Sequence, residues 1–140
     1  YITSRGRWYH TSWKGDLDKS GGIATNIGIH FFDMLQWIFG SLKSYEVSET
    51  TKYSSAGILE LERAKVNWFL SIDSNRLPKS IRGQNLSTYR SLVIEGEKID
   101  FTKGFNQLHT ISYENIIRGN GYGLKDAKAS IEIVSKLRKT

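Results

Sequence analysis

Ser20, Gly21 and Gly22, followed by Thr25, Asn26, His30 and Asp33, bring together residue types suited to proton transfer at a hydroxyl. An imidazole with an ordinary pKa near 6.5 can accept such a proton near neutral pH. Asn26 and His30 are four residues apart, so a helix puts them on one side, a turn from each other. Asp33 follows within a turn and could orient the ring. Spacing alone leaves two readings of His30: a core imidazole satisfied by one hydrogen bond, or a catalytic group. The paired glycines also read two ways. They make a tight turn into a helix, or they clear space for a ligand or another backbone.

These residues need a helix to carry them, and the spacing predicts one over 20–39. Ser20 is the expected N-cap and Gly40 the C-terminal stop. On a regular wheel Ile23, Ile27, Phe31, Met34 and Ile38 form the stripe that should pack on a sheet. Gly22, Asn26, His30, Asp33 and Trp37 form a second stripe beside it. A helix apolar nearly all round must be covered nearly all round. A sheet covers one side, so something else approaches the other.

The remaining elements follow from periodicity. The first twelve residues read as a strand, with Arg5, Arg7, Tyr9 and Thr11 on one face and Trp8 and His10 on the other. Residues 44–54, 56–62 and 64–73 read as an antiparallel meander, with turns at Ser55–Gly57 and Glu62–Arg63. A basic loop covers 75–87. Residues 87–96 and 97–101 pair as a hairpin around Glu95, Gly96 and Glu97. Helices are expected at 105–118 and 124–138, the last with Leu124, Ala127, Ile131, Val134 and Leu137 on one face. Gly119 should stop the first of these, although glycines before a helix can also cradle phosphate. His109 could reach a cleft or face solvent. The pattern is α+β, an open and mostly antiparallel sheet with helices on one face. No G-x-G-x-x-G follows a strand, so no Rossmann dinucleotide-binding unit is expected in this chain.

Composition narrows the classes. The 140 residues make one domain with enough apolar content, 39%, for a real core. No apolar run is long enough for a membrane helix. The chain does not begin with Met, and its opening inside an element suggests a fragment of something longer. With no cysteine there is no disulfide framework, and no metal site is expected. The lack of cysteine fits a cytoplasmic protein. The formal net charge of +6 favours anionic partners, or simply a solvated basic surface.

Trp13, Lys14, Asp16, Ser20, Gly21, Gly22, Asn26, Gly28, His30, Asp33, Trp37 and Gly40 form a spaced pattern. It resembles the C-terminal domain of the glucose-fructose oxidoreductase (Gfo/Idh/MocA) family. Longer stretches, such as SRGRWYHTSWKGDLDKSGGIATNIGIHFFDML, are similar to the UDP-N-acetyl-2-amino-2-deoxyglucuronate dehydrogenases. The resemblance covers essentially the whole chain. It implies the C-terminal part of a two-domain cytoplasmic enzyme that uses NAD, bound mainly by an N-terminal Rossmann domain. The implied reaction oxidises the C3 hydroxyl of a UDP-N-acetylglucosaminuronate-like substrate for surface-polysaccharide (lipopolysaccharide, O-antigen) biosynthesis. This chain alone should be inactive. His30 matches the family's active-site histidine, which works with a lysine of the other domain. Asn26 sits where the family more often has Asp and should hydrogen-bond the sugar. The amide removes a charge, which puts a base role for that position in doubt and avoids repelling a substrate carboxylate.

Thr25 is adjacent to Asn26 and a candidate sugar contact. Arg7 and Lys14 are candidate ligands for the substrate's carboxylate and diphosphate, because guanidinium and ammonium groups bind such anions. Tyr9 shares Arg7's predicted strand face and joins the candidate substrate-binding set. Two other readings compete. A basic sheet could stack nucleic-acid bases on Trp8, Tyr9, Trp68 and Tyr89. That reading leaves the Gly-Gly, Asn and His arrangement unexplained, so nucleic acid is not the expected partner. Alternatively, the open sheet face, with Val66, Trp68 and Leu70 alternating along it, could bury itself in a homo-oligomer.

Overall fold

The computed structural model describes residues 1–104 and 107–139. Strand β1 (Ile2–Thr3) is followed by the short helices α1 (Arg7–Thr11) and α2 (Leu17–Ser20). A π turn over Ala24–Gly28 runs directly into α3 (Ile29–Phe39). Next come β2 (Leu42–Thr50), β3 (Ser54–Leu61) and β4 (Lys65–Ser71). The short helix α4 (Lys79–Arg82) precedes β5 (Thr88–Tyr89), the hairpin β6 (Ser91–Ile94) and β7 (Glu97–Asp100), and the helices α5 (Leu108–Ile117) and α6 (Leu124–Leu137).

The main sheet has the order β2-β3-β4-β1-β5, and only its β1–β4 pairing is parallel. The α+β expectation therefore holds. Leu59 stands opposite Val66, Gly57 opposite Trp68 and Ser55 opposite Leu70, so these side chains share one face. Gly57 leaves room for the indole: a Cβ there would lie 2.8 Å from Trp68 Cζ2. That face packs against the π turn, α3 and α6, and the core gathers there around Phe32, Leu35, Leu59, Leu70 and Ile133. Trp68 and Leu70 thus belong to the covered face, with Phe32 edge-on to Trp68 at 5.4 Å. They are not available to a second subunit. The opposite face carries Ile58, Asn67 and Phe69, and Leu77 and Ile81 cover its far end by packing on Ile2.

The N-terminal strand is far shorter than the alternation suggests. Only Ile2 and Thr3 pair, after which the chain leaves the sheet and closes a helical turn with the Tyr9 N–H donating to the Gly6 carbonyl at 3.0 Å. Tertiary packing overrides the local pattern here, because that turn buries Tyr9. The meander lies close to the expected positions, but Ser55–Gly57 are inside β3, and the preceding turn is at residues 51–53. The hairpin turns at Glu95 and Gly96 as expected, both at positive φ. In α6 the buried residues are Ser130, Ile133, Val134 and Leu137, whereas Leu124 is 90% exposed. The first turns of that helix extend past the core. Residues 105 and 106, where the preceding helix was expected to begin, lie outside the described residues. Gly119 follows α5 at φ 78°, the C-terminal stop expected of it.

Candidate functional site

The segment that carries the chemistry is built in two pieces. Asp16 caps α2, its Oδ1 accepting from the N–H groups of Asp18 at 3.0 Å and Lys19 at 3.2 Å. These bonds hold the Asp16 carboxyl below the usual carboxylate range. Gly21 ends α2 in the left-handed region at φ 74°, a conformation that costs glycine nothing. Ser20 therefore closes a short helix and does not cap the long one, although its Oγ accepts from the Gly22 N–H at 3.1 Å.

Beyond Gly22 the helix widens into the π turn, which accommodates one extra residue. Two side chains secure it. Thr25 Oγ1 donates to the Gly21 carbonyl at 2.9 Å, and Asn26 Nδ2 donates to the Gly22 carbonyl at 3.1 Å. Asn26 Nδ2 also donates to the Lys14 carbonyl at 3.3 Å, tying the turn to the loop before α2. Both acceptors are carbonyls, which fixes the amide orientation. Asn26 Oδ1 is left without a donor among the described residues.

The extra residue changes which side chains are buried. Ile23, Ile27, Phe32 and Leu35 face the core. In a regular helix, Ile27 and Phe32 would be about 140° apart on the wheel. Phe31 and Met34, expected in the core stripe, instead line a cleft of about 410 Å³ together with Asn26 and His30. The pair named from sequence is therefore brought together on a concave surface. His30 is exposed and makes no hydrogen bond among the described residues. Asp33 does not hold its ring, for no bond or ion pair joins them. Asp33 and Trp37 lie with His30 along a second groove beside Asp126 and Ser130.

Aromatic rings form one wall of the cleft. Tyr1 stacks on Phe31 at 5.0 Å, and Phe31 stacks on Phe101 at 5.5 Å. Arg90 lies over the Tyr1 ring at 5.1 Å and donates from Nη1 to the Thr102 carbonyl at 3.2 Å. Arg5 completes the charged lining. Neither arginine was singled out from the sequence as a ligand for an anion. Arg5 sits where the chain leaves β1, and Arg90 between β5 and β6, so only the folded topology joins them.

The other candidates are elsewhere. Arg7 is exposed on α1 and does not line the cleft. Tyr9 is 3% exposed, and its hydroxyl is buried without a hydrogen-bond partner among the described residues. Burial pushes this phenol above its usual pKa, opposed by the nearby Arg5 charge. Lys14 places its ammonium 5.9 Å from the Trp8 ring and 5.8 Å from the Trp13 ring. Its side chain lines a separate hollow of about 310 Å³ with Tyr9, His10 and Gly22, while its carbonyl holds Asn26. Thr25 acts on the backbone of the π turn and does not line the cleft. His109 is exposed on α5 and is likewise outside the cleft lining. Of the four aromatics a nucleic acid might stack on, Tyr9 and Trp68 are buried, so no shared platform exists.

Comparison with known proteins agrees with this architecture. The C-terminal alpha/beta domain of an oxidoreductase family matches residues 1–64. The WlbA (WbpB) dehydrogenase from Thermus thermophilus, solved in complex with NAD and alpha-ketoglutarate, is 50% identical with a TM-score of 0.90 over 98% of this chain. The same dehydrogenase in complex with NAD and UDP-GlcNAcA gives 48% identity and the same TM-score and coverage. The chain spans 44% of the length of those proteins.

Proposed function

We propose, from the premise that this chain belongs to the Gfo/Idh/MocA oxidoreductases as a C-terminal domain of that family, that it is the substrate-binding half of an NAD-dependent sugar-nucleotide dehydrogenase. The observation that carries this reading is the cleft itself. His30 and Asn26 share it with two arginines, and among the described residues no Asp or Glu side chain lines it. Such a surface suits an anionic sugar with a hydroxyl to be deprotonated.

The substrate is a UDP-N-acetylglucosaminuronate-like sugar nucleotide, oxidised at C3. His30 takes the hydroxyl proton, alone or in relay with a lysine of the partner domain. Asn26 Oδ1 accepts from a sugar hydroxyl, while its Nδ2 stays on the backbone and fixes the amide. The aromatic wall of Tyr1, Phe31 and Phe101 offers apolar surface to the sugar and excludes water. NAD supplies the hydride acceptor. The described residues offer no parallel strand-helix-strand unit for a dinucleotide, so its binding belongs to a second domain, and this chain alone is inactive.

Residues 1–140 then serve as one substrate-binding and assembly domain of a cytoplasmic enzyme of surface-polysaccharide synthesis. The stretch of the sheet around Ile58 and Asn67, beyond the part that Leu77 and Ile81 cover, is the face through which subunits associate. No helix among the described residues is long and apolar enough to cross a membrane.

The direct test is to incubate the two-domain enzyme with UDP-GlcNAcA and NAD and follow NADH absorbance. Formation of NADH with a 3-keto product supports the reading. No NADH, with NAD demonstrably bound, overturns it.

A further inference from the structure

We propose that Asn120 is a site of self-modification, where the backbone nitrogen of Gly121 attacks the asparagine side chain and converts it to aspartate and isoaspartate. The inference is independent of the sugar-nucleotide reading above.

Asn120 is the one asparagine in the chain with glycine directly after it. It stands in the connection between α5 and α6, just past the left-handed stop at Gly119. The reaction needs a side-chain amide free to turn, a free backbone nitrogen on the next residue, and no side chain crowding that nitrogen. Asn120 is exposed, and its side chain makes no hydrogen bond among the described residues. Gly121 is exposed too, and its N–H donates to nothing among the described residues. Glycine has no Cβ to hinder the approach. Residues 120–123 belong to no helix or strand, and exposed connections of this kind tolerate the backbone rotation that the attack requires.

Among the described residues, the other asparagines lack this combination. Asn26 is held by two carbonyls. Asn67 and Asn115 sit within β4 and α5. After Asn75 and Asn85, the N–H groups of Arg76 and Leu86 donate to the Asp73 and Ile81 carbonyls, each at 3.2 Å.

The step balances with water alone. The Gly121 nitrogen gives up its proton to hydroxide and adds to Cγ of Asn120. The new C–N bond closes a succinimide ring, and the Cγ–Nδ2 bond breaks to release ammonia. Water then opens the ring at Cγ, giving aspartate, or at the main-chain carbonyl carbon of residue 120, giving isoaspartate. The second product routes the main chain through Cβ and lengthens it by a methylene. The connection has little slack to absorb that atom. The Asn120 N–H is anchored to the Asn115 carbonyl at 2.8 Å, and the Gly123 N–H to Asp126 Oδ2 at 2.7 Å. The added length therefore displaces Tyr122 or Gly123, which line the groove that His30, Asp33 and Trp37 share.

The test incubates the two-domain enzyme at mildly alkaline pH beside a synthetic peptide spanning Gly119 to Lys125. Samples of the enzyme are digested with trypsin, and the same peptide is followed by mass spectrometry from time zero. Conversion in the folded enzyme should run within about tenfold of the free peptide's rate, because a loop that opens at almost no free-energy cost reacts almost as an unfolded one does. Two product peptides of equal mass should separate on chromatography, the isoaspartyl form in excess. Gly121→Ala should slow conversion in enzyme and peptide alike, and the peptide keeps this comparison readable if the variant enzyme fails to fold. An intact Asn120 in the folded enzyme while the peptide converts overturns the proposal. So does a Gly121→Ala enzyme or peptide that converts as fast as its parent, since the amide would then be lost by direct hydrolysis. Earlier conversion of any other asparagine in the folded enzyme overturns it as well.

Discussion

The side-chain amide of Asn26 lies 3.1 Å from the carbonyl oxygen of Gly22, one turn back in the same helix. That bond, with its companion to Lys14, secures the widened turn from which His30 and Phe31 reach the cleft. Asn26→Ala removes both bonds and should destabilise the fold by about 1–3 kcal/mol. Urea unfolding followed by circular dichroism reads this. Asn26→Asp puts a carboxylate against two carbonyls and should be less stable at neutral pH than in acid, where the group is protonated and donates. Equal stability of all three proteins would show that the amide does not hold the turn.

The π turn decides which of two adjacent phenylalanines is structural. Phe32 is fully buried against Trp68, and Phe31 is half-buried along the cleft. Phe32→Ala should cost about 3–5 kcal/mol. Phe31→Ala should cost roughly 1–2 kcal/mol, since much of its surface already meets solvent or the neighbouring rings. A regular helix predicts the reverse order. Comparing the two midpoints in one denaturant series distinguishes the two geometries.

His30 is exposed and unbonded among the described residues, so its removal should leave the fold alone. His30→Gln is expected within about 0.5 kcal/mol of the parent in stability. In the two-domain enzyme the same change should lower kcat by about 10²–10⁴, the usual size of a general acid–base contribution. Normal turnover by this variant would remove His30 from the chemistry.

Tyr9 gives a pH-dependent prediction. Its phenol is buried and held above the usual pKa of about 10, so the fold favours the neutral form. Below that pH both folded and unfolded chains keep the proton, and the contribution is fully present. As pH rises past 10 the unfolded chain loses its proton first, and stability falls until the folded phenol ionises too. Tyr9→Phe should flatten this loss. Because the hydroxyl has no partner among the described residues, the substitution should also be neutral or stabilising by up to about 1 kcal/mol at pH 7. Unfolding curves at pH 8, 10 and 11 measure both effects.

The sheet was legible because alternation and turn chemistry agree there. The strands of the meander, the turn at Glu95 and Gly96 and the stop at Gly40 follow from period-two patterning and from glycine at left-handed positions. The helix face was not legible beyond Ile27. Phe31 and Phe32 are both aromatic, so a wheel cannot tell which one turns inward, and no local signal announces the extra residue. Arg7–Thr11 misleads in another way. Its polar and aromatic residues alternate as in a strand, yet burying Tyr9 requires a helical turn. The arginines of the cleft were hidden for a topological reason. Arg5 and Arg90 are far apart in sequence and meet only because β1 lies beside β5.

The widened turn also has an arithmetic consequence. It holds one residue more than the helix needs to reach from Gly22 to Phe39, and the surplus is confined to Ala24–Gly28. Excising Gly28, which lies between Ile27 and Phe32, should let the segment wind regularly with those two core side chains four residues apart on one face. The shortened protein should remain folded, as read by its urea midpoint, and lose the register that sets Asn26 and His30 four residues apart at the cleft. Folding and the shape of the cleft would then be separable by one codon.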